Sequence, residues 1–214
     1  MERFIFFLEI LGTMAFSVSG AMIGIRKSMD IFGVIILGVT TAVGGGMIRD
    51  IVLGAAPPRV FSSPVYVLVA MAVAVLVFLP TLRRWMAKNQ LLFDQLLRIM
   101  DALGLGIFTV VGVQVGFETG HDIGFSLLVF LGTITGVGGG VVRDMMAGDR
   151  PYIFVKHVYA CASIAGAALC ALLWAPAGRV TAIVVGLVTV VTLRLLASHF
   201  RWSLPKAKEF SEDN

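Results

Sequence analysis

The sequence predicts an all-α integral membrane protein with seven transmembrane helices, arranged as two inverted three-helix repeats plus a seventh helix. Three observations lead there. Of the 214 residues, 58% are hydrophobic and only 14% charged, with a mean hydropathy of +0.94. A soluble domain carries about 25% charged residues, so this composition could not cover a water-facing surface. The apolar residues fall in long continuous runs, not in the roughly ten-residue alternating segments of a membrane barrel. Finally, a glycine-rich pattern occurs twice at a fixed offset.

A spanning helix needs roughly 20 apolar residues. The chain offers such runs at Phe4–Ile25, Ile31–Ala56, Phe61–Pro80, Leu91–Phe117, Ile123–Ala147, Ile153–Trp174 and Val180–Ala197. Polar, charged or proline-bearing segments separate them: Arg26-Lys27-Ser28, Pro57-Pro58-Arg59, Arg83 through Gln90, Glu118 to Asp122, Asp149-Arg150-Pro151, and Ala175 to Arg179. Seven spans place the termini on opposite sides. One side collects Arg26, Lys27, Arg83, Arg84, Lys88, Arg150, Lys156, Arg201, Lys206 and Lys208, the other only Arg3, Arg59 and Arg179. Basic residues mark cytoplasmic loops, so the C-terminus is expected in the cytoplasm and the N-terminus outside an inner (cell) membrane. These basic runs read as topology signals, and a nucleic-acid partner is not expected.

Thr41-Ala42-Val43-Gly44-Gly45-Gly46-Met47-Ile48-Arg49-Asp50, followed by Gly54 and Pro57, aligns with Thr135-Gly136-Val137-Gly138-Gly139-Gly140-Val141-Val142-Arg143-Asp144, followed by Gly148 and Pro151, at one offset of 94 residues. Upstream, Leu11-Gly12, Phe16, Val18, Gly20 and Gly24 align with Leu103-Gly104, Phe108, Val110, Gly112 and Gly116 at an offset of 92, and Glu9 falls on Asp101. The units are residues 1–82 and 91–175, followed by a seventh helix at 179–199 and a tail at 200–214. Three spans per unit is an odd number, so the second copy enters the membrane from the opposite side. Inverted repeats of this kind are typical of transporters whose site lies at the midplane.

Each glycine triplet lies near the centre of its span. Glycine disfavours helix by about 1 kcal/mol per residue relative to alanine, so Gly44, Gly45 and Gly46, and likewise Gly138, Gly139 and Gly140, are expected to kink or unwind the second and fifth helices. Such backbone is tolerated at that depth only where protein covers it or it lines a wet cavity. Unwound carbonyls would then face a cation. The competing reading is that these glycines only allow close helix packing, which is the expectation for Gly20, Gly24, Gly112 and Gly116.

Arg49-Asp50 and Arg143-Asp144 follow the triplets. Ionised residues inside a span cost roughly 2.5–3.5 kcal/mol on insertion scales and are paired or face an interior path. Neighbours diverge by 100° on a helix, so each arginine is expected to pair elsewhere. Symmetry suggests Arg49 with Asp144 and Arg143 with Asp50, either as pore charges and gate or as locks between the repeats. A polar stripe of Glu9, Thr13, Ser17, Gly20 and Gly24 on the first helix, matched by Asp101, Leu105, Thr109, Gly112 and Gly116 on the fourth, is a candidate pathway. Asp94 and Arg98, spaced i,i+4, would pair with each other. Gln114 and Glu118 would continue the path or sit at the interface. His121, His157 and His199 are scattered without ligand spacing, Cys161 and Cys170 lie on opposite faces of one run, and no metal, cofactor or catalytic motif is expected.

The G-G-G-x-x-R-D-x-x-x-G-x-x-P signature in the second span of each unit resembles the prokaryotic branch of the trimeric intracellular cation channel family, over residues 4–197. The resemblance implies a homotrimer with one pore per protomer, shaped by the glycine-kinked second and fifth helices and conducting monovalent cations such as potassium. The same family is also labelled as glycine transporters, so transport of glycine or another small zwitterion stays open beside the channel. Carboxylates at Glu9, Asp50, Asp101 and Asp144 favour cations, whereas Arg49 and Arg143 repel them unless acidic partners hold them.

Overall fold

The computed structural model describes residues 2–119, 123–155, 158–200 and 202. His121, Asp122, Lys156, His157, Arg201 and the tail from Ser203 lie outside the described residues. Regular structure among the described residues is helical throughout: α1 (Glu2–Arg26), α2 (Ile31–Val52), α3 (Arg59–Ser62), α4 (Val65–Phe78), α5 (Pro80–Lys88), α6 (Gln90–Glu118), α7 (Phe125–Met146), α8 (Tyr152–Val155), α9 (Tyr159–Leu173) and α10 (Arg179–His199).

Five helices, α1, α2, α6, α7 and α10, are long and apolar enough to cross a bilayer, and α4 and α9 are shorter apolar helices. The chain is a multi-pass membrane protein. Two predicted spans are shorter than expected for a local reason. The run Phe61–Pro80 is divided because Ser63, directly before Pro64, is extended (φ −129°, ψ 82°), as the clash with a following proline ring requires. The run Ile153–Trp174 likewise yields α8 and then α9. At 1.5 Å per residue α4 and α9 are each only about 22 Å long. The segment Arg83 through Gln90, expected only as a separator, falls largely in α5.

The ends of α2 and α7 explain much of the repeated signature. Leu53 N–H donates to the Arg49 carbonyl (3.0 Å) and Ala55 N–H to the Asp50 carbonyl (2.9 Å). At the other site Ala147 N–H donates to the Arg143 carbonyl and Asp149 N–H to the Asp144 carbonyl, both at 2.9 Å. Gly54 and Gly148 take the left-handed conformation that this helix stop needs, with φ of 69° and 71°. The aspartate side chains then receive the returning chain. Asp50 Oδ2 accepts from Arg59 N–H (2.9 Å), the first residue of α3, and Asp144 Oδ2 from Tyr152 N–H (2.8 Å), the first of α8.

The glycine triplets do not unwind. Both α2 and α7 run as unbroken α-helix through them, so their carbonyls stay in the helical ladder and are not released toward a cation. The glycines instead let two backbones touch. A Cβ on Gly45 would lie 2.0 Å from the Thr135 carbonyl oxygen, and one on Gly139 would lie 2.1 Å from that of Thr41. The reciprocal contacts, 41 with 139 and 45 with 135, make α2 and α7 antiparallel. The expected packing role of Gly20 and Gly112 is found: a Cβ would meet the Leu37 carbonyl at 2.5 Å and the Leu131 carbonyl at 2.6 Å. Around this centre α1 packs on α2 and α6, α6 on α7, α4 on α1 and α2, and α9 and α10 on α6. Large apolar side chains such as Phe7, Phe32, Leu68 and Phe154 remain exposed at the perimeter, as a lipid-facing surface requires.

The triplets contain their own control. Gly45→Ala should cost about 3 kcal/mol by forcing the helices apart. Gly46→Ala meets nothing closer than Arg49 Nη2 at 3.7 Å and should be neutral or stabilising, since alanine favours helix by about 1 kcal/mol. Thermal midpoints of the two variants in detergent check this, and equal midpoints would contradict the close crossing.

Candidate functional site

Two cavities, each with charged side chains in its wall, lie at opposite ends of the central helices. The first, about 270 Å³, is lined by Glu9 and Thr13 of α1, Gly46 and Arg49 of α2, Arg59 of α3 and Tyr66 of α4, among others. The second, about 240 Å³, is lined by Arg26, Asp94, Leu97, Arg98, Asp101, Tyr152 and Arg194. Glu9 and Arg26 are about 25 Å apart along α1 at 1.5 Å per residue. On α6 the interval between the cavities is short, since Asp101 lines the second and Phe108 the first, about 10 Å apart along the axis. Phe16 fills that interval. It is 1% exposed, its ring lies 5.4 Å from that of Phe108, and it rests against Gly104 of α6 and Gly139 of α7.

In the first cavity Tyr66 Oη donates to Glu9 Oε2 at 2.5 Å. Arg49 donates from Nε (2.9 Å) and Nη2 (2.7 Å) to Oδ1 of the adjacent Asp50. Arg143 is likewise bound to its neighbour, with Nε 2.8 Å from Asp144 Oδ1. It is 0% exposed, and its Nη1 donates to Ser19 Oγ and to Asp101 Oδ1, both at 2.6 Å. Tyr159 Oη reaches Asp101 Oδ1 at 3.5 Å.

The expected cross-repeat pairs, Arg49 with Asp144 and Arg143 with Asp50, are therefore replaced by pairs between neighbours. The antiparallel crossing dictates this. Arg49 and Arg143 lie four residues beyond Gly45 and Gly139 in opposite directions, so Arg49 and Asp144 are separated by about 13 Å along the axis. The 100° divergence of neighbours is no obstacle, because each pair sits in the last turn, where the long arginine side chain curls onto a carboxylate already aimed at the returning backbone. Asp94 pairs with Arg26 of α1 rather than with Arg98, and Lys27 Nζ lies 2.5 Å from Asp149 Oδ1. Gln114 donates to Glu118 at 2.8 Å.

Of the polar stripe, Glu9 and Thr13 line the first cavity and Asp101 the second. Ser17 and Thr109 join helices instead: Ser17 Oγ donates to the Ala70 carbonyl of α4 (2.7 Å), and Thr109 Oγ1 lies 2.7 Å from Ser163 Oγ of α9. Both are fully buried. Sequence reasoning missed Ser19, Arg59, Tyr66, Tyr152, Tyr159 and Arg194. Only Arg194 left a signal, as a lone charge inside the apolar run Val180–Ala197.

Residues 6–81 and 98–175 match the family model described as "Glycine transporter". The chain belongs to this family, the TRIC/UPF0126 family. It is 35% identical over 208 residues to the UPF0126 inner membrane protein YadS of Escherichia coli K12, covering 94% of this chain and 95% of that one. It is 31% identical to the UPF0126 membrane protein YvgT of Bacillus subtilis, over 97% and 98% of the two chains. Among solved structures it resembles a prokaryotic TRIC channel crystallised in 0.5 M KCl, with TM-score 0.86 and 30% identity over 95% of this chain and 100% of the other. It also resembles the TRIC trimeric intracellular cation channel orthologue from Rhodobacter sphaeroides, with TM-score 0.83 and 33% identity over 92% and 98%.

The buried Arg143 cluster and the exposed Arg26–Asp94 pair should respond differently to neutralisation. Arg143→Gln leaves Asp101 and Asp144 buried without their cation, and should cost about 3–5 kcal/mol. Arg26→Gln removes a pair with side chains 40% and 43% exposed, and should cost less than about 1 kcal/mol. Thermal midpoints in detergent check the order.

Proposed function

We propose that the chain is a membrane channel for monovalent cations, potassium among them, acting as a homotrimer with one conduit in each protomer. In this reading residues 1–82 and 91–175 are two inverted three-helix units, the conduit passes between them, and the seventh helix packs beside the pair. The N-terminus is outside and the C-terminus cytoplasmic. The observation that carries the proposal is the pair of cavities with charged walls, end to end along α1 and α6 and separated by about 10 Å of packed side chains. Two carboxylates line each, Glu9 and Asp50 in one and Asp94 and Asp101 in the other. The similarity to proteins solved as TRIC cation channels supports the same reading.

Arg49 and Arg143, whose charges would repel cations, are held by Asp50, Asp101 and Asp144. The conformation described is a closed one in this reading, with Phe16 between the cavities. Opening requires Phe16 to leave the gap between α6 and α7, and with Arg49 and Arg143 held by carboxylates cations pass once it does. Neutralising Arg49 therefore exposes Asp50 and should alter conductance or open probability.

A second reading, transport of glycine or a similar zwitterion, has one observation in its favour. The first cavity holds a carboxylate, Glu9, and the guanidinium groups of Arg49 and Arg59, which complement an ammonium and a carboxylate. Reconstitution separates the two readings. Resolved unitary currents in planar bilayers establish the channel, whereas saturable, gradient-coupled uptake of labelled glycine into liposomes without unitary currents establishes the transporter.

In the channel reading Glu9→Gln removes one negative charge from the first cavity, and should lower current entering from that side about threefold at low salt. Tyr66→Phe, which keeps the charge, should change it far less. Single-channel recordings of the two variants check this.

A further inference from the structure

Between Val180 and Ala197 the α10 helix carries a single charged residue, Arg194. An arginine in such a helix is costly unless it reaches an interior path, and Arg194 does. It is 6% exposed and lines the second cavity. Its guanidinium lies over the Tyr159 ring at 4.7 Å, with Nη2 3.9 Å from Asp101 Oδ2.

The contrast with Arg143 is informative. Arg143 holds Asp101 through Nη1 at 2.6 Å and Asp144 through Nε at 2.8 Å, the geometry of a charge-assisted hydrogen bond. Arg194 stands beyond that range. Among the described residues its Nε has no hydrogen-bond partner, and neither has the Asp101 oxygen that faces it. Arg194 is therefore too far to act as a staple and near enough to act through its field. Arg143 balances only one of Asp101 and Asp144, so the charge of this cluster is −1 without Arg194 and zero with it.

We infer that Arg194 sets the charge of the second cavity by offsetting Asp101, and so limits the rate at which cations enter the conduit from that side. This makes α10 part of the conduit as well as a packing helix. The inference rests on the channel reading above. A unit charge about 7 Å from a passing ion, in a water-like dielectric, is worth about a threefold change in local ion concentration.

The test is single-channel recording in planar bilayers at about 50 mM and about 1 M KCl, where the Debye length falls to about 3 Å. R194Q should raise low-salt cation current of one polarity about threefold, with the excess vanishing at high salt, while R194K keeps wild-type currents. R194C provides a comparison within one folded protein. A cationic methanethiosulfonate should return its current to the wild-type level, and an anionic one should raise it further; wild type, which retains Cys161 and Cys170, is the reagent control. Unchanged low-salt currents in R194Q and R194C overturn the inference, as does a change that persists at high salt or is equal in both polarities. Loss of folded protein in both variants, with R194K intact, assigns Arg194 a stabilising role and also overturns it. Wild-type protein without unitary currents overturns the channel reading itself, and the inference with it.

Discussion

Where α2 and α7 cross, each backbone lies against the other, and the position of every charge in the interior follows from that contact. In a membrane no hydrophobic gain favours one apolar helix contact over another, so close van der Waals approach decides which pair forms the centre. Gly45 beneath the Thr135 carbonyl and Gly139 beneath that of Thr41 give an approach that no side chain would permit. The crossing is antiparallel, so Arg49 and Arg143 are carried to opposite ends of it, and each must find its counter-charge locally. The two cavities are the consequence, one at each arginine's end of the central helices.

Residues just beyond the triplets combine two tasks. Arg49-Asp50 with Gly54, and Arg143-Asp144 with Gly148, form a device for stopping a helix and turning the chain. The glycine takes a positive φ, the aspartate receives the first N–H of the next short helix, and the arginine neutralises the aspartate. A buried carboxylate with two oxygens to satisfy needs both partners. Much of the repeated signature is thus accounted for by chain reversal, and Arg49 and Asp50 also line the first cavity. A substitution at Asp50 or Asp144 therefore changes helix termination together with any electrostatic effect, and the two are separated more cleanly at Glu9 or Arg194, which terminate no helix.

The membrane class, the long spans and the paired signature were legible because they rest on composition and periodicity, which are local. Hydropathy makes Phe61–Pro80 one span because it does not register the helix boundary at Ser63-Pro64. Glycine's helix propensity predicts a kink or unwinding at the triplets, but it is an isolated-helix quantity, and the helices do not unwind there. Tertiary contact overrides it here: the free energy gained by close approach is available only if the helix stays regular. Tyr66 beside Glu9, Ser19 beside Arg143 and Tyr159 beside Asp101 were not legible, since their separations in sequence, 57, 124 and 58 residues, are set by packing alone. The cross-repeat arginine pairs failed for a reason already present in the sequence. Each arginine follows its triplet toward the C-terminal end of its helix, so in an antiparallel crossing at the triplets Arg49 and Asp144 lie at opposite ends of the contact.

The sequence repeat does not make the two cavities equal. Glu9 and Asp101 occupy matching places, and each has a tyrosine near its carboxylate, yet the first hydrogen-bonds Tyr66 while the second is bound by the fully buried Arg143. The shorter carboxylate of Asp101 lies at the guanidinium, whereas Arg49 pairs with Asp50 and leaves Glu9 to the phenol. The α10 helix adds Arg194 to the second cavity alone, and the pairing of Asp94 with Arg26 leaves Arg98 as a further positive charge there. Both lining sets contain two carboxylates; the first has two arginines and the second three. The lining of the first cavity is therefore neutral and that of the second net positive. That difference follows from the arginine that α10 adds to the Asp101 cluster and from the Arg26–Asp94 pairing, so the two ends of the molecule differ in charge however closely the glycine signatures match.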